Sequence, residues 1–291
     1  MIFPEQLSDF FHKHQAELQS KHPGINLVIL TRELLGGPNS FGASNLERVF
    51  DDLLLGIPLA YITKCRFFYN SEFWVSPEVL IPSFETEMLV KLASEVVINA
   101  GDVTKLRIAD IGTGCGAIIL ALLKELSIGL EGSEKLQKLE IDAVATDIST
   151  AALSLAKRNY FFHTYCINPK FKLTFLCGDR FRVFDEETAL NLIVSNPPYI
   201  MMPADLPGVH PQVNNFFPHT ALYLMDEDYW DWYKEFFIGA LDSLSAKGVL
   251  LMEGHELHLQ ELSKLALSLG FSSVKILQDL SCRDRFLQAV K

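Results

Sequence analysis

Residues 106–116 read Leu-Arg-Ile-Ala-Asp-Ile-Gly-Thr-Gly-Cys-Gly, and the next eleven read Ala-Ile-Ile-Leu-Ala-Leu-Leu-Lys-Glu-Leu-Ser. The first half is a short apolar run closed by Asp110 and by glycines at positions 112, 114 and 116, the pattern of a buried strand. The second half has the length and composition of a helix, predicted over 117–127. A strand that enters a glycine-rich turn and leaves as a helix is the opening unit of a parallel α/β sheet. The turn then lies at the carboxyl edge, where such sheets bind ligands, and glycines let the backbone approach a ligand closely. Taken alone the turn is weak, because dinucleotide sites and ordinary tight turns use the same residues.

The alternation of strand and helix continues on either side. Strands are predicted over 106–112, 139–147, 171–179, 190–195 and 248–253, with two more near 271–277 and 285–290. Helices are predicted over 85–99, from Ser149, over 228–245 and over 256–269. The first should bury Met88, Leu89, Leu92, Ala93 and Val96, and Tyr229, Trp230, Trp232, Tyr233, Phe236 and Phe237 should form a packed face with some interfacial exposure. Residues 128–138, with Gly129 and Gly132, read as a polar surface loop. Such alternation implies a parallel sheet with helices on both faces.

The first sixty residues have a different period, that of short amphipathic helices. Ser44-Asn45-Leu46-Glu47 reads as a capping box, and Leu46, Val49, Phe50, Leu53 and Leu54 share a helical face ended by Gly56-Ile57-Pro58. Two β-rich runs, 61–69 and 73–75, joined at Asn70-Ser71, suggest a hairpin. The expected organisation is a helical domain over 1–60, a hairpin linker over 61–84 and an α/β catalytic domain over 85–291.

The 291 residues carry a formal net charge of −11, which shifts the expectation from phosphate backbones toward small molecules or basic protein partners. Five scattered cysteines (65, 115, 166, 177, 282) form no C-x-x-C pair, so reduced thiols in a cytoplasmic protein are expected rather than disulfides or zinc. The N-terminus has no secretory pattern. The most apolar stretch, 108–123, is interrupted by Asp110, Thr113 and three glycines, so no membrane span is expected. His255 and His258 are three apart rather than the four of a metalloprotease helix, and no metal site is expected. His210 and His219 fall in the long loop after residue 200.

Two acids extend the glycine turn into a site. Asp147 ends the second strand, where a carboxylate can accept ribose hydroxyls, and Asp179 ends the third. The decisive motif is Asn196-Pro197-Pro198-Tyr199, after the fourth strand. An amide or aromatic amine nitrogen is a poor nucleophile because its lone pair is delocalised. The Asn196 side-chain oxygen and the Pro197 carbonyl can accept its two N–H bonds and aim the lone pair at an electrophilic methyl. The prolines stiffen that geometry, and Tyr199 offers a flat face to the planar group.

From residue 56 to 291 the chain resembles the HemK/PrmC-type protein-(glutamine-N5) methyltransferases. The resemblance is carried by GIPLAYIT (56–63), FWVSPEVLIPSFETE (73–87), ADIGTGCGAI (109–118), VATDIS (144–149), SNPPYI (195–200) and DLSCRDRFLQAV (279–290). It implies a Rossmann-like class I methyltransferase sheet of seven strands, the last antiparallel, with a small N-terminal helical domain that recognises substrate. It also implies S-adenosyl-L-methionine as methyl donor and the glutamine of the Gly-Gly-Gln motif of peptide chain release factors as acceptor. With the strand-end reading, the expected cofactor-binding set is Asp110, Gly112, Thr113, Gly114, Cys115, Gly116, Asp147, Asp179, Arg180 and Asn196. Asn196, Pro197, Pro198 and Tyr199 are expected to hold the substrate amide, with Asn196, Pro197 and Tyr199 catalytic. Five positions depart from the family pattern. Ser83 and Phe84 replace Arg-Pro, Arg180 follows Asp179 where an aromatic residue sometimes stands, Phe217 stands where an acid is usual, and Cys282 replaces a glycine.

Enzymes methylating adenine N6 or guanine N2 use a similar acceptor motif on a flipped base. From residue 183 to 233, however, there is no Lys or Arg and there are eight Asp or Glu, which suits a basic protein loop better than phosphates. A ribosomal-protein glutamine is a second acceptor compatible with the chemistry. A non-catalytic release-factor-binding homologue is the alternative outside enzymology, opposed by the intact acceptor motif and glycine turn.

Overall fold

The computed structural model describes residues 2–35, 46–101, 103–129 and 137–291. The N-terminal part is helical: α1 (Ile2–Lys21), α2 (Leu27–Leu35), α3 (Leu46–Leu55) and α4 (Leu59–Thr63). Leu7, Leu18, Leu30, Leu34, Val49 and Leu53 form its core, and Phe10 stacks on Phe50 at 3.9 Å between ring centroids. Gly56, at φ +86°, ends α3 in the left-handed conformation that glycine adopts without a Cβ penalty. The predicted capping-box residues Ser44 and Asn45 lie outside the described residues, as does most of the predicted 128–138 loop.

The hairpin exists but begins later than its β-rich composition suggests. Residues 61–63 belong to α4, and strands β1 (Cys65–Phe68) and β2 (Ser71–Trp74) pair antiparallel. Tertiary contact overrides propensity here, because the Tyr61 hydroxyl donates to the Val79 carbonyl at 2.7 Å and Lys64 closes α4 at φ +58°. The turn is Tyr69-Asn70, both at positive φ, the twist-matched two-residue connection of hairpins.

The remaining elements are α5 (Phe84–Ile98), β3 (Lys105–Ile111), α6 (Ala117–Ile128), β4 (Glu140–Asp147), α7 (Thr150–His163), β5 (Phe171–Cys177), β6 (Leu190–Ser195), β7 (Ile200–Met202), α8 (Pro211–Phe216), β8 (Tyr223–Met225), α9 (Tyr229–Ser243), β9 (Leu244–Glu253), α10 (Leu259–Leu269), β10 (Ser273–Gln278) and β11 (Asp284–Val290). Among the described residues, seven strands form one sheet in the order β10-β11-β9-β6-β3-β4-β5. β11 runs antiparallel to both neighbours, and the pairs from β9 to β5 are parallel. One core lies under α5, α6 and α7, and a second under α9 and α10.

One helix face differs in detail from the expectation. In α5, Leu89, Val90, Ala93 and Val97 are buried, while Met88, Leu92 and Val96 are half-buried, because the helix packs against α6 and the strand edge together. In α9 the expected packed face with some exposure is present: Tyr229, Tyr233, Phe236 and Phe237 are fully buried and Trp230 is 39% exposed. Among the described residues, no helix is long and apolar enough to cross a membrane.

One polar side chain ties the hairpin to the glycine turn. Asn159 of α7, fully buried, accepts from the Trp74 N–H at 2.8 Å and donates to the carbonyls of Trp74 at 3.0 Å and Cys115 at 2.8 Å. Asn159→Leu keeps the forked side-chain shape and strips three backbone groups of their partner. It should cost about 2–4 kcal/mol in urea unfolding, and an unchanged midpoint would contradict this clamp.

Candidate active site

The glycine turn has two faces. Gly112, Gly114 and Gly116 all have positive φ (+73°, +56°, +83°). A Cβ on Gly112 or Gly114 would meet nothing within 4 Å, whereas one on Gly116 would press on Ala156 and Leu120 at 3.2 Å. Gly116 therefore permits close packing of α6 on α7, and the first two glycines leave an open backbone surface. Asp110, Thr113, Cys115 and Gly116 are buried beneath that surface, so the side chains of the first three shape the turn from below, and the exposed backbone belongs to Gly112 and Gly114.

Asp110 is fully buried. One of its oxygens accepts from the Thr113 hydroxyl at 2.7 Å, and Oδ1 has no partner among the described residues. Burial pushes its pKa up to about 7. Asp147, at the tip of β4, accepts from the Gly114 N–H at 2.9 Å and the Ser149 N–H at 2.8 Å, and burial raises its pKa as well. It braces the turn, and a carboxylate has further lone pairs for a ligand's hydroxyls. Asp179, two residues beyond β5, is held by Arg180 at 3.0 Å and Arg182 at 3.5 Å. Arg180 also bridges to Glu235 at 2.9 Å and lies over the Trp232 ring at 5.2 Å. That pair is thus anchored to α9 rather than to the turn.

The Ser195 hydroxyl donates to the Ile111 carbonyl at 2.7 Å, locking the end of β6 to the end of β3 and setting Asn196 beside the turn. The phenol of Tyr233 donates to the Pro198 carbonyl at 3.1 Å and that of Tyr229 to the Tyr199 carbonyl at 3.4 Å. The acceptor loop is thus fixed by two phenols from the packed face of α9. Asn196 Nδ2 donates to Thr86 Oγ1 at 3.2 Å. Its oxygen, Oδ1, is buried without a partner among the described residues, a state that costs about 1–3 kcal/mol and that an arriving N–H relieves. Tyr199 donates from its hydroxyl to Glu253 at 3.3 Å, and burial raises its pKa.

Sequence reading misses Thr86, Glu253, Asn159 and the tyrosine braces. Thr86 and Glu253 do fall at a helix start and a strand end, but nothing in their spacing shows that they meet. The four departures besides Arg180 have local explanations. Ser83 caps α5 by accepting from the Thr86 N–H at 3.2 Å. Phe84 is 68% exposed, with the Arg66 guanidinium over its ring at 5.0 Å. Phe217 packs on Tyr61 at 5.6 Å in an apolar cluster with Ile200, Leu222 and Tyr223. Cys282 has φ +59°, the left-handed conformation that makes glycine the usual residue there.

The long loop contacts the N-terminal helices. The Gln212 amide donates to the Gly56 carbonyl at 2.9 Å and sits 2.9 Å from His22 Nδ1, while His210 Nε2 lies 3.3 Å from the Ser20 carbonyl. His219 Nε2 lies 2.9 Å from the Asn214 carbonyl. The structure also gives His258 a partner invisible in the sequence, Asp205 Oδ2 at 2.8 Å, which accepts from the Met201 N–H at the same distance.

The sheet order, the glycine turn and the acceptor loop define a class I methyltransferase. Solved structures agree on the fold: T. thermophilus RsmC, a 16S rRNA N2 G1207 methyltransferase in complex with AdoMet and guanosine, has a TM-score of 0.50 at 15% identity, covering 78% of this chain and 49% of that one. The hMettl16 catalytic domain, in complex with a MAT2A 3′UTR hairpin, has a TM-score of 0.52 at 16% identity, covering 75% and 74%. No family model matches. Among curated relatives, the release factor glutamine methyltransferase of Leptospira interrogans is 34% identical over 239 residues, 79% of this chain and 73% of that protein. That of Francisella tularensis is 28% identical over 288 residues, 95% and 92%. A bifunctional methyltransferase of Rickettsia typhi is 29% identical over 257 residues, and the match spans 46% of that longer protein. The chain belongs to the release factor glutamine methyltransferase family.

The turn is open to two checks. Gly112→Val should cost only about 1–3 kcal/mol of stability through backbone strain, yet weaken methyl-donor binding by at least roughly ten-fold, because its side chain occupies the open face. Calorimetry and thermal unfolding on one sample measure both. Asp110 binds its proton more tightly folded than unfolded, so its contribution to stability is full below the unfolded value near 3.8 and is lost as pH rises through about 7. Asp110→Asn should therefore flatten the decline of melting temperature across that window.

Proposed function

We propose that this protein transfers a methyl group from S-adenosyl-L-methionine to the side-chain amide nitrogen of the glutamine in the Gly-Gly-Gln motif of peptide chain release factors. Family membership supplies the substrate class. The observation that carries the chemistry is Oδ1 of Asn196, buried and without a partner among the described residues, beside a glycine turn with an open backbone face.

The residues present fit the methyl donor. Gly112 and Gly114 offer backbone that a side chain would obstruct, and Asp147 at the tip of β4 can accept hydroxyls. S-adenosylmethionine, when bound, supplies an electrophilic methyl on a sulfonium. Asn196 Oδ1 accepts one N–H of the glutamine amide, and the Pro197 carbonyl accepts the other. Two accepted hydrogen bonds turn the nitrogen lone pair toward the methyl and raise its electron density. Pro198 and Tyr199 keep that loop rigid, and the Tyr199 ring lies along the flat amide. No strong base is required, since the methylated nitrogen becomes acidic in the transition state and sheds its proton readily. Catalysis is positioning and exclusion of water.

The partner is read as a protein rather than a nucleic acid. The site is flanked by a 51-residue segment, 183–233, with eight acids and no Lys or Arg, which repels phosphates and suits a basic loop. The helical domain, tied to the acceptor loop through Gln212, is positioned to contact the body of that protein.

Labelled methyl from S-adenosylmethionine should appear on a purified release factor and be absent when its Gly-Gly-Gln glutamine is replaced by alanine. Asn196→Ala should reduce turnover by at least about 10²-fold, the scale of losing one preorganised hydrogen-bonding group, with folding unchanged by circular dichroism. Near-normal rates would refute the role of Asn196. Label on RNA instead would move the acceptor to a nucleobase.

A further inference from the structure

We propose that Glu253 is a positioning residue for methyl transfer: through the Thr86 hydroxyl it fixes which end of the Asn196 carboxamide faces the substrate. This rests on reading Asn196 as the acceptor of the substrate amide.

The direction of the hydrogen bonds carries the inference. A threonine hydroxyl has one proton to give and two lone pairs to receive. Thr86 Oγ1 lies 2.7 Å from Glu253 Oε2, 3.0 Å from Ser83 Oγ and 3.2 Å from Asn196 Nδ2. A carboxylate can only accept, so the single proton of Thr86 goes to Glu253, in a charge-assisted bond. Ser83 and Asn196 must then both donate. Asn196 can donate only from its NH2 end, so its oxygen points the other way, where it is buried and unpartnered. A flipped carboxamide would set two oxygens against each other with no proton between them. It would also present an NH2 to the N–H groups of the incoming amide, donor against donor. The network thus excludes the unproductive rotamer without touching the reacting atoms. Ser83, one of the departures from the family pattern, fills the third site on Thr86 and completes the count.

Glu253 is 1% exposed at the end of β9. It is faced by Thr86 and Glu85 from α5, Tyr199 from the acceptor loop, Tyr233 from α9 and Arg285 from β11. Burial outweighs the opposing influence of Thr86 and Arg285 and pushes its pKa up to about 7. A protonated Glu253 can donate to Thr86, which frees the threonine proton to turn toward Asn196 and removes the bias. The orienting form is the carboxylate, so the rate is held above about pH 7 and lost as pH falls through that value.

The test has two arms on the full-length protein. In the first, methylation of a release factor is followed from about pH 5.5 to about pH 9. Wild-type kcat should fall on the acid side of about pH 7, with the KM for S-adenosylmethionine nearly constant. Glu253→Gln should lose that acid limb. Thr86→Val should lower kcat by at least roughly ten-fold, and Thr86→Ser, which keeps the hydroxyl, should stay within about three-fold of wild type. In the second arm, the Asn196 side-chain amide resonances, assigned by their disappearance in Asn196→Gln, are followed through the same range without substrate. They should shift with a midpoint near that pKa in the wild type and stay fixed in Glu253→Gln. A Glu253→Gln enzyme that keeps the acid limb, or amide resonances indifferent to both pH and residue 253, overturns the proposal. A wild-type protein that fails to methylate release factor while its Asn196 resonances still follow Glu253 refutes the substrate assignment and supports the relay.

Discussion

Strand β3 is hydrogen-bonded on both edges, to β4 and to β6, and the rest of the site depends on that double pairing. The registers set Ile111 beside Thr146 on one side and Ser195 on the other. The tips of three strands therefore end level, and the residues next in the chain after each tip are forced into the same small volume. After β3 comes the glycine turn, after β4 comes the Ser149 cap with Asp147 at its base, and after β6 comes Asn196. Parallel strands buried on both faces have no freedom to slide, because a slip would expose apolar side chains and break a whole ladder. The spacing of donor turn and acceptor loop is thus a property of the sheet, and the side chains refine it.

The site concentrates polar groups where the fold alone would prefer none. Asp110 and Glu253 are carboxyls without solvent, and each has its pKa raised by burial. Buried acids of this kind reduce stability at neutral pH and are found where geometry or proton affinity is being tuned. The compensations are visible. Thr113 answers Asp110, Thr86 and Tyr199 answer Glu253, and Asn159 closes three backbone groups between hairpin and turn. The tyrosines of α9 serve twice, as core residues by their rings and as braces of the acceptor loop by their hydroxyls.

The helical N-terminal part and the sheet meet through the segment beyond the acceptor motif. Gln212 reaches the end of α3 and His22 just past α1, while Phe217 packs on Tyr61 of α4. The segment that follows Asn196 is therefore tied directly to the N-terminal helices. The family pattern has an acid at the place of Phe217. Here the position is apolar and consolidates that junction.

Period and punctuation alone determined the helical start, the alternating sheet, the glycine turn and the acceptor motif, while the direction of the last strand was implied by the resemblance. Each of these is written in neighbouring residues: strand runs closed by glycine or aspartate, a rigid Asn-Pro-Pro-Tyr, an acidic stretch with no Lys or Arg. The start of β1 is not legible there, because Tyr61 is a good strand former whose hydroxyl is claimed by a carbonyl eighteen residues away. The burial stripe of α5 is blurred in the sequence because two neighbours share that helix. Only the tertiary structure decided that Thr86, Asn196 and Glu253 form one hydrogen-bonded chain. Asn196 and Glu253 lie 110 and 167 positions from Thr86, and each of the three looks alone like a helix-start hydroxyl, a loop amide or a strand-end acid. Hydrogen-bond direction is a relation among side chains that the sheet brings together, so no single stretch of sequence can carry it.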